Sequence, residues 1–194
     1  MYEIFKVLYI FVDSTFMFEN FFANPLNSDK KTPQMLPSYI KEDGTKVYEK
    51  DDQVGHIVYE ISPDNVYISR IYNHKGQLTN EYARHKNLEI GRQYDEADRI
   101  VNQIDIVYDE NNVQAMKKEY EYSYYDNGVK KTESVKEYPA DIMKMYKFDE
   151  NGTLAEMYEQ RGSVKTWFDK DGNPIKREID RGSGGIITED LTKK

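Results

Sequence analysis

The chain has 194 residues, no cysteine, 38% hydrophobic residues and a formal net charge of -8. Its length allows one domain with a hydrophobic core of its own, and the lack of cysteine excludes thiol catalysis, thiolate metal sites and disulfide bonds. The negative charge argues against nucleic-acid binding, which needs clustered Lys and Arg, and it either favours a basic protein partner or serves solubility alone.

The most apolar part of the sequence is residues 1–23. Charged residues interrupt it at positions 3, 6, 13 and 19, whereas a membrane-spanning helix needs about 20 predominantly apolar residues. We therefore expect a helix or strand that packs on one face of a sheet. Membrane association or a degraded export signal in residues 1–22 is the alternative and is not favoured. Residues 24–37 contain three prolines and predict a linker.

Residues 38–180 predict a domain of repeated β-hairpins, because strand-like runs rich in Tyr, Ile and Val alternate with turn signals. Asp or Asn opens a turn at positions 73, 95, 109, 126, 149 and 169, where its short side chain accepts a hydrogen bond from a backbone N–H two residues later. Gly follows at positions 76, 128, 152 and 172 and supplies the positive φ that such turns require. The fold class is thus mainly β, a long antiparallel meander.

A sheet of this length is expected to curl as its twist accumulates, which would give it a concave and a convex face. Residues 181–194 are rich in Gly and predict a flexible tail, or one that docks as a last strand. The stretch from Ala115 to Tyr122 has helical propensity. We nevertheless expect a strand there, because Tyr120 and Tyr122 alternate with Glu119 and Glu121.

Five of the turns share an aromatic residue followed by Asp, and three of these continue to Gly; they are Tyr94-Asp95, Tyr108-Asp109, Tyr125-Asp126-Asn127-Gly128, Phe148-Asp149-Glu150-Asn151-Gly152 and Phe168-Asp169-Lys170-Asp171-Gly172. This pattern resembles the aromatic-Asp-x-x-Gly signature of YD-repeat proteins. It is also similar to MORN-like hairpin repeats, a family that includes bacterial antitoxin and immunity proteins. The resemblance implies a repetitive β-sheet used as a binding or shielding surface, with no catalytic residue to carry over.

No catalytic, cofactor-binding or metal site is predicted. The Asp-rich turns at Asp149 and Asp169 resemble calcium loops, but their Gly falls at position 4, whereas an EF-hand needs it at position 6. Hairpin chemistry demands the same residues. The histidines at positions 56, 74 and 85 are not at ligand spacing.

Aromatic and acidic side chains on the later strands are the best candidates for binding a partner, since Tyr and Trp are enriched in binding hot spots and acids select a basic partner. The candidates are Glu119, Tyr120, Glu121, Tyr122, Tyr124, Tyr125, Tyr146, Tyr158 and Trp167. The competing interpretation is that these rings only pack on the N-terminal segment or pair across strands.

The sequence therefore favours a cytoplasmic, non-enzymatic protein-binding module, most specifically an immunity protein. We expect it to neutralise a basic cognate toxin through an acidic, Tyr-rich sheet face. The alternative is a structural or cell-envelope repeat protein, anchored through its N-terminal segment, that binds surface glycans or envelope proteins.

Overall fold

The structure is a computed structural model that describes residues 36–53 and 55–192. Within these residues, fourteen antiparallel strands form one sheet in which each strand pairs only with its neighbours in sequence. The elements are β1 (Tyr39–Ile40), β2 (Lys46–Asp52), β3 (Gly55–Ile61), β4 (Tyr67–Tyr72), β5 (Leu78–His85), β6 (Leu88–Tyr94), β7 (Ile100–Tyr108), β8 (Gln114–Tyr124), β9 (Lys130–Tyr138), β10 (Ile142–Phe148), β11 (Leu154–Arg161), β12 (Val164–Phe168), β13 (Pro174–Asp180), a 3-10 turn (Gly182–Gly184) and β14 (Ile186–Asp190).

The predicted fold class, a mainly β meander of hairpins, is confirmed. The ambiguous stretch from Ala115 to Tyr122 lies within β8, so the strand interpretation is also confirmed. Alternating tyrosines and charged residues there suit a pleated surface whose two faces are both partly solvated.

One turn geometry recurs along the chain, and Asp149 illustrates it. Its Oδ1 accepts the backbone N–H groups of Asn151 and Thr153, both at 2.9 Å. Gly152 then adopts φ of 83°. Asn73, Asp95, Asp109 and Asp169 each accept the same two N–H groups in their own turns.

One detail of the predicted turn series is wrong. The turn after β8 begins at Tyr125, not at Asp126, because the N–H of Tyr125 donates to the carbonyl of Val129. A tyrosine has no short acceptor, and Asn127 Oδ1 instead accepts the N–H of Val129 at 3.0 Å. The turn at Asp109 belongs to the other edge of the sheet, since it joins β7 to β8.

The turns after β4, β6, β8, β10 and β12 form one row at the ends of the strands, because every second connection of a meander returns to the same side of the sheet. We call this the aspartate edge; its turns are residues 73–77, 95–99, 125–129, 149–153 and 169–173. Connections at 41–45, 62–66, 86–87, 109–113, 139–141, 162–163 and 181–185 form the opposite edge.

The sheet is open and uncurled, so the expected curl is not observed. Among the described residues, the buried hydrophobic side chains are Val47, Ile57, Val135 and Ile142. Most other described strand side chains are half-buried. Because both faces remain partly solvated, hydrophobic burial does not force this sheet to curl over one of them.

The sheet extends beyond position 180, the predicted end of the repeat domain. Residues Ile186–Asp190 form β14, which pairs with β13, and this arrangement corresponds to the docked-strand alternative for the tail. The apolar segment at residues 1–23 and nearly all of the predicted linker lie outside the described residues, so their placement stays a prediction. Within the part of the chain that is described, no helix has the length and apolarity needed to cross a membrane.

Candidate functional site

Strand register divides the sheet into two faces. Residues directly opposite each other on paired strands share a face, and successive residues along a strand alternate between faces. Tyr120 pairs with Val135, which pairs with Lys144, and Tyr146 lies two residues beyond Lys144. Tyr120, Tyr122, Tyr124 and Tyr146 therefore share one face, which we call the tyrosine face. Glu119, Glu121, Tyr158 and Trp167 lie on the opposite face, where Glu121, Ser134, Met145, Tyr158 and Trp167 follow one another in register.

The predicted binding residues are thus split between two surfaces. Four tyrosines are brought together on the tyrosine face, while the two glutamates lie on the other side of the sheet beside different aromatic residues. Tyr125 stands at the first position of its turn, at the aspartate edge, and its hydroxyl donates to the carbonyl of Phe148 at 2.8 Å. No single partner surface can include all nine residues.

The tyrosine rings are held in fixed positions. The rings of Tyr120 and Tyr122 stack, with centroids 6.2 Å apart and 7° between their planes. Lys130 Nζ lies 4.8 Å from the centroid of the Tyr122 ring. The hydroxyl of Tyr124 donates to the carbonyl of Ile100 at 2.7 Å. All four tyrosines remain half-buried, so part of each ring is accessible.

Burial and nearby carboxylates raise the pKa of three of these hydroxyls. Burial raises the pKa of Tyr122 to about 12, with a further contribution from the negative charge of Glu133. Burial also raises the pKa of Tyr120, and Asp105 adds to this effect. The pKa of Tyr124 is raised chiefly by burial. The face therefore offers neutral rings with hydrogen-bonding hydroxyls beside acidic side chains.

A row of ion pairs crosses the part of the tyrosine face formed by β3 to β7. We call it the ionic ladder, and the sequence did not predict it. Arg70 binds Glu60 at 3.3 Å and Glu81 at 3.0 Å, and Glu81 also binds Arg92 at 3.0 Å. Arg92 then donates to Gln103 at 3.2 Å. Successive members from Arg70 to Gln103 are 11 residues apart, a spacing that the sequence already contained. The charges of this ladder satisfy one another.

The aromatic pair on the opposite face is covered by the chain's own lysines. The rings of Tyr158 and Trp167 lie 5.9 Å apart. Lys165 Nζ lies 3.7 Å from the Tyr158 centroid and 4.6 Å from that of Trp167, and Lys176 Nζ is 4.5 Å from the latter. Glu119, on the same face, pairs with Lys117 at 2.6 Å.

A buried carboxylate on the opposite face is also internally satisfied. Glu89 accepts the hydroxyl hydrogen of Tyr108 at 2.9 Å and pairs with Arg84 at 3.1 Å. Burial, followed by the charge of Glu89, raises the pKa of Tyr82 beside it. We regard this cluster as structural, since its polar atoms bind one another.

Two of the histidines meet at an open cleft that also includes Asp51 and Tyr72. His56 Nδ1 lies 2.9 Å from Asp51 Oδ1, and His74 lines the same cleft from its turn. His85 lies at the end of β5, at the opposite edge. Across residues 36–53 and 55–192, no group of three or more His, Asp or Glu side chains is arranged to hold a metal ion.

No known family model and no curated protein matches this sequence. The architecture of repeated β-hairpins is observed, whereas the likeness to YD-repeat and MORN-like proteins stays a prediction.

Proposed function

We propose that this chain is a non-enzymatic protein-binding module, and most specifically a cytoplasmic immunity protein that neutralises a basic bacterial toxin. In this proposal the tyrosine face covers the toxin's active site. The observation that carries it is the group of four half-buried tyrosines on one face of an open sheet.

The rigidity of these rings supports a binding role. Tyrosine supplies a large amphipathic contact area with little side-chain entropy to lose, which is why it is enriched in hot spots. Stacking of Tyr120 on Tyr122 and the hydrogen bond from Tyr124 to Ile100 already order the side chains before a partner arrives. Binding to them would therefore cost less conformational entropy.

Charge supports a basic partner. The chain carries a net charge of -8, which favours encounter with a positively charged protein. On the tyrosine face, Asp105 accepts a hydrogen bond from Gln103 at 2.9 Å and forms no ion pair with another described residue. Glu133, opposite Tyr122, pairs with Lys130 at 2.7 Å. Asp105 is thus placed to receive a partner's cation next to Tyr120.

Site-specific photocrosslinking in the native cell tests the binding face. A benzophenone amino acid replaces Tyr122 in one full-length variant and Tyr158, on the opposite face, in a matched control. We expect position 122 to capture one defined protein, basic in composition, at least about tenfold more efficiently than position 158, as expected if the contact excludes the opposite face. Capture by position 158 alone, or by neither position, would contradict the proposal.

Neutralisation is tested with the captured protein. Expressed alone, it should arrest growth, and co-expression of this chain should restore growth. The double variant Tyr120→Ala, Tyr122→Ala should lose at least about tenfold in affinity, because truncating hot-spot rings costs about 2 kcal/mol or more. Glu121→Ala, on the opposite face, should rescue growth normally. A captured protein without any toxic effect would exclude the immunity role while leaving the binding role intact.

A further inference from the structure

Four consecutive turns of the aspartate edge present the same pair of groups. Each has an aromatic residue at the end of the incoming strand and at least one exposed acidic residue within the turn. The pairs are Tyr94 with Glu96, Tyr124 with Asp126, Phe148 with Glu150, and Phe168 with Asp171.

All four rings belong to the tyrosine face. Each lies two residues beyond a residue of that face, namely Arg92, Tyr122, Tyr146 and Thr166, and therefore points to the same side. The register shifts beside each ring, between Gln93 and Tyr94, Ser123 and Tyr124, Lys147 and Phe148, and Trp167 and Phe168. Each shift is a β-bulge whose extra residue lies on the strand that follows the turn. The four rings therefore have equivalent positions relative to their bulges. All four are half-buried.

The four acidic side chains are not needed by their turns. In three of these turns Asp95, Asp149 and Asp169 accept the internal N–H groups, and in the fourth Asn127 does so. Glu96, Asp126, Glu150 and Asp171 are all exposed, and none makes a side-chain hydrogen bond or ion pair with another described residue. Their carboxylates are available to a ligand.

Contacts between neighbouring hairpins fix the spacing of these units. Asn127 Nδ2 donates to the carbonyl of Glu150 at 3.1 Å, so adjacent turns are joined directly. The guanidinium of Arg99 lies 4.7 Å from the centroid of the Tyr124 ring and connects the first unit to the second. The row is therefore an ordered array rather than four independent loops.

The period of this array matches an extended polypeptide. Units recur at every second strand, and strands lie about 4.8 Å apart, so the rings recur about every 9.6 Å. A polyproline II chain advances about 3.1 Å per residue and therefore about 9.3 Å in three residues. A segment lying across the strands would bring every third residue to an equivalent ring, with a turn carboxylate two residues after the ring in three units and three residues after it, at Asp171, in the fourth.

We propose that the aspartate edge binds an extended, basic, proline-containing segment of a protein partner, with one Lys or Arg in every three residues. Charge complementarity favours this occupant, since the five described turns at 73–77, 95–99, 125–129, 149–153 and 169–173 hold eight acidic residues (Asp95, Glu96, Asp98, Asp126, Asp149, Glu150, Asp169, Asp171) and three basic ones (Lys75, Arg99, Lys170). Aromatic rings are also the surfaces on which polyproline II segments dock. The inference deepens the proposed function, because it names the kind of segment that the same face would take.

Synthetic peptides test the inference without the natural partner. The full chain is titrated with (Lys-Pro-Pro)4 and with a peptide of the same composition whose four lysines form one block. We expect (Lys-Pro-Pro)4 to bind at least about tenfold more tightly, because only its cations recur with the period of the array, and to weaken as salt increases.

Two sets of variants locate the peptide site. The first variant replaces Glu96 and Glu150 by Gln and Asp126 and Asp171 by Asn, and it should reduce the affinity for (Lys-Pro-Pro)4 at least about tenfold. The control variant carries Glu42→Gln and Glu110→Gln in turns of the opposite edge, and its affinity should not fall. Circular dichroism confirms that each variant is folded. Equal binding of the two peptides, binding of neither, or equal loss in both variant sets would overturn this inference. The photocrosslinking result would be unaffected, so the two proposals fail separately.

Discussion

The ring of Tyr122 stacks on that of Tyr120, with centroids 6.2 Å apart, and the residue directly opposite Tyr122 on β9 is Glu133. This arrangement places a phenol between an aromatic neighbour and a carboxylate. The Tyr122 side chain is half-buried, and the negative charge of Glu133 acts on its hydroxyl. Both effects disfavour the phenolate.

Titration of Tyr122 should report this environment. Its pKa is raised to about 12, chiefly by burial and then by Glu133. In a difference absorbance titration near 295 nm, Tyr122→Phe should remove the absorbance of one phenolate, the one that forms as the pH rises through this pKa. Glu133→Gln should lower the pKa of Tyr122 without returning it to its ordinary value, because burial remains. Glu156→Gln, on the opposite face, is the matched control. An unchanged titration of Tyr122 in Glu133→Gln would contradict the assigned electrostatic cause.

Removing the acceptor of a turn should cost stability, whereas removing its exposed neighbour should not. Asp149→Ala deprives the N–H groups of Asn151 and Thr153 of their acceptor. Because solvent can partly replace it, we expect a loss of about 1–2 kcal/mol in the free energy of unfolding. This corresponds to about 2–8 °C in the thermal midpoint for a domain of this size. Glu150→Ala, which removes no such acceptor, should change the midpoint little; equal effects of the two substitutions would show that the turn hydrogen bonds do not matter.

Acid should weaken the turn at Asp169. Hydrogen bonds from the backbone and side chain of Asn173 hold the pKa of Asp169 below its ordinary value of 3.8. A carboxylate with a lowered folded-state pKa stabilises the fold above pH 3.8 and loses this contribution as the pH falls through the folded value. The stability of the protein relative to Asp169→Asn should therefore decline on acidification in that window. Asn73 occupies the same position in its own turn, so the amide should preserve the geometry.

Chemical denaturation at a series of pH values measures this difference. Asp171→Asn, which removes a neighbouring charge but no acceptor of a turn hydrogen bond, corrects for general charge effects. A constant difference between the protein and Asp169→Asn from pH 6 down to about pH 2.5 would show that Asp169 is not ionised preferentially in the folded state.

Much of the fold could be predicted because the turns depend on local chemistry. A short Asp or Asn acceptor followed by a residue of positive φ identified most hairpins, even where Asp98 and Asn112 replace Gly with φ of 57° and 60°. The turn at Tyr125 was misplaced by one residue because Asp126 has the right side chain in the wrong position. The local sequence pattern alone does not show which of two adjacent residues opens the turn.

The composition of each face could not be predicted, because it depends on register across many strands. Tyr146 and Tyr158 lie on neighbouring strands of one hairpin, yet Tyr158 pairs with Met145, and the two tyrosines point to opposite sides. A bulge near the intervening turn adds one residue to the second strand. Each later side chain of that strand therefore points to the face opposite to the one expected from a regular alternation. The ionic ladder was missed for the same reason, although its 11-residue spacing was visible in the sequence.

Among the glycines of the N-terminal strands, Gly55 should be the one whose substitution costs most stability. It adopts φ of 136°, and a Cβ there would overlap the carbonyl oxygen of Tyr72 on β4. Backbone cannot move aside as a flexible side chain would, so Gly55→Ala should destabilise the sheet by about 3 kcal/mol or more. Gly76, with φ of 78° and open space around it, is the matched control and should cost about 1–2 kcal/mol when replaced by Ala.

The damage from Gly55→Ala should also remain local. Each described strand pairs only with its neighbours in sequence, so the stability of one end of the sheet depends little on the other, as in repeat proteins. In hydrogen exchange, amides of β2, β3 and β4 should lose protection in Gly55→Ala, while those of β9 to β12 keep theirs. Uniform loss of protection across all strands would instead show that the sheet unfolds as one cooperative unit, since global unfolding exposes every amide together.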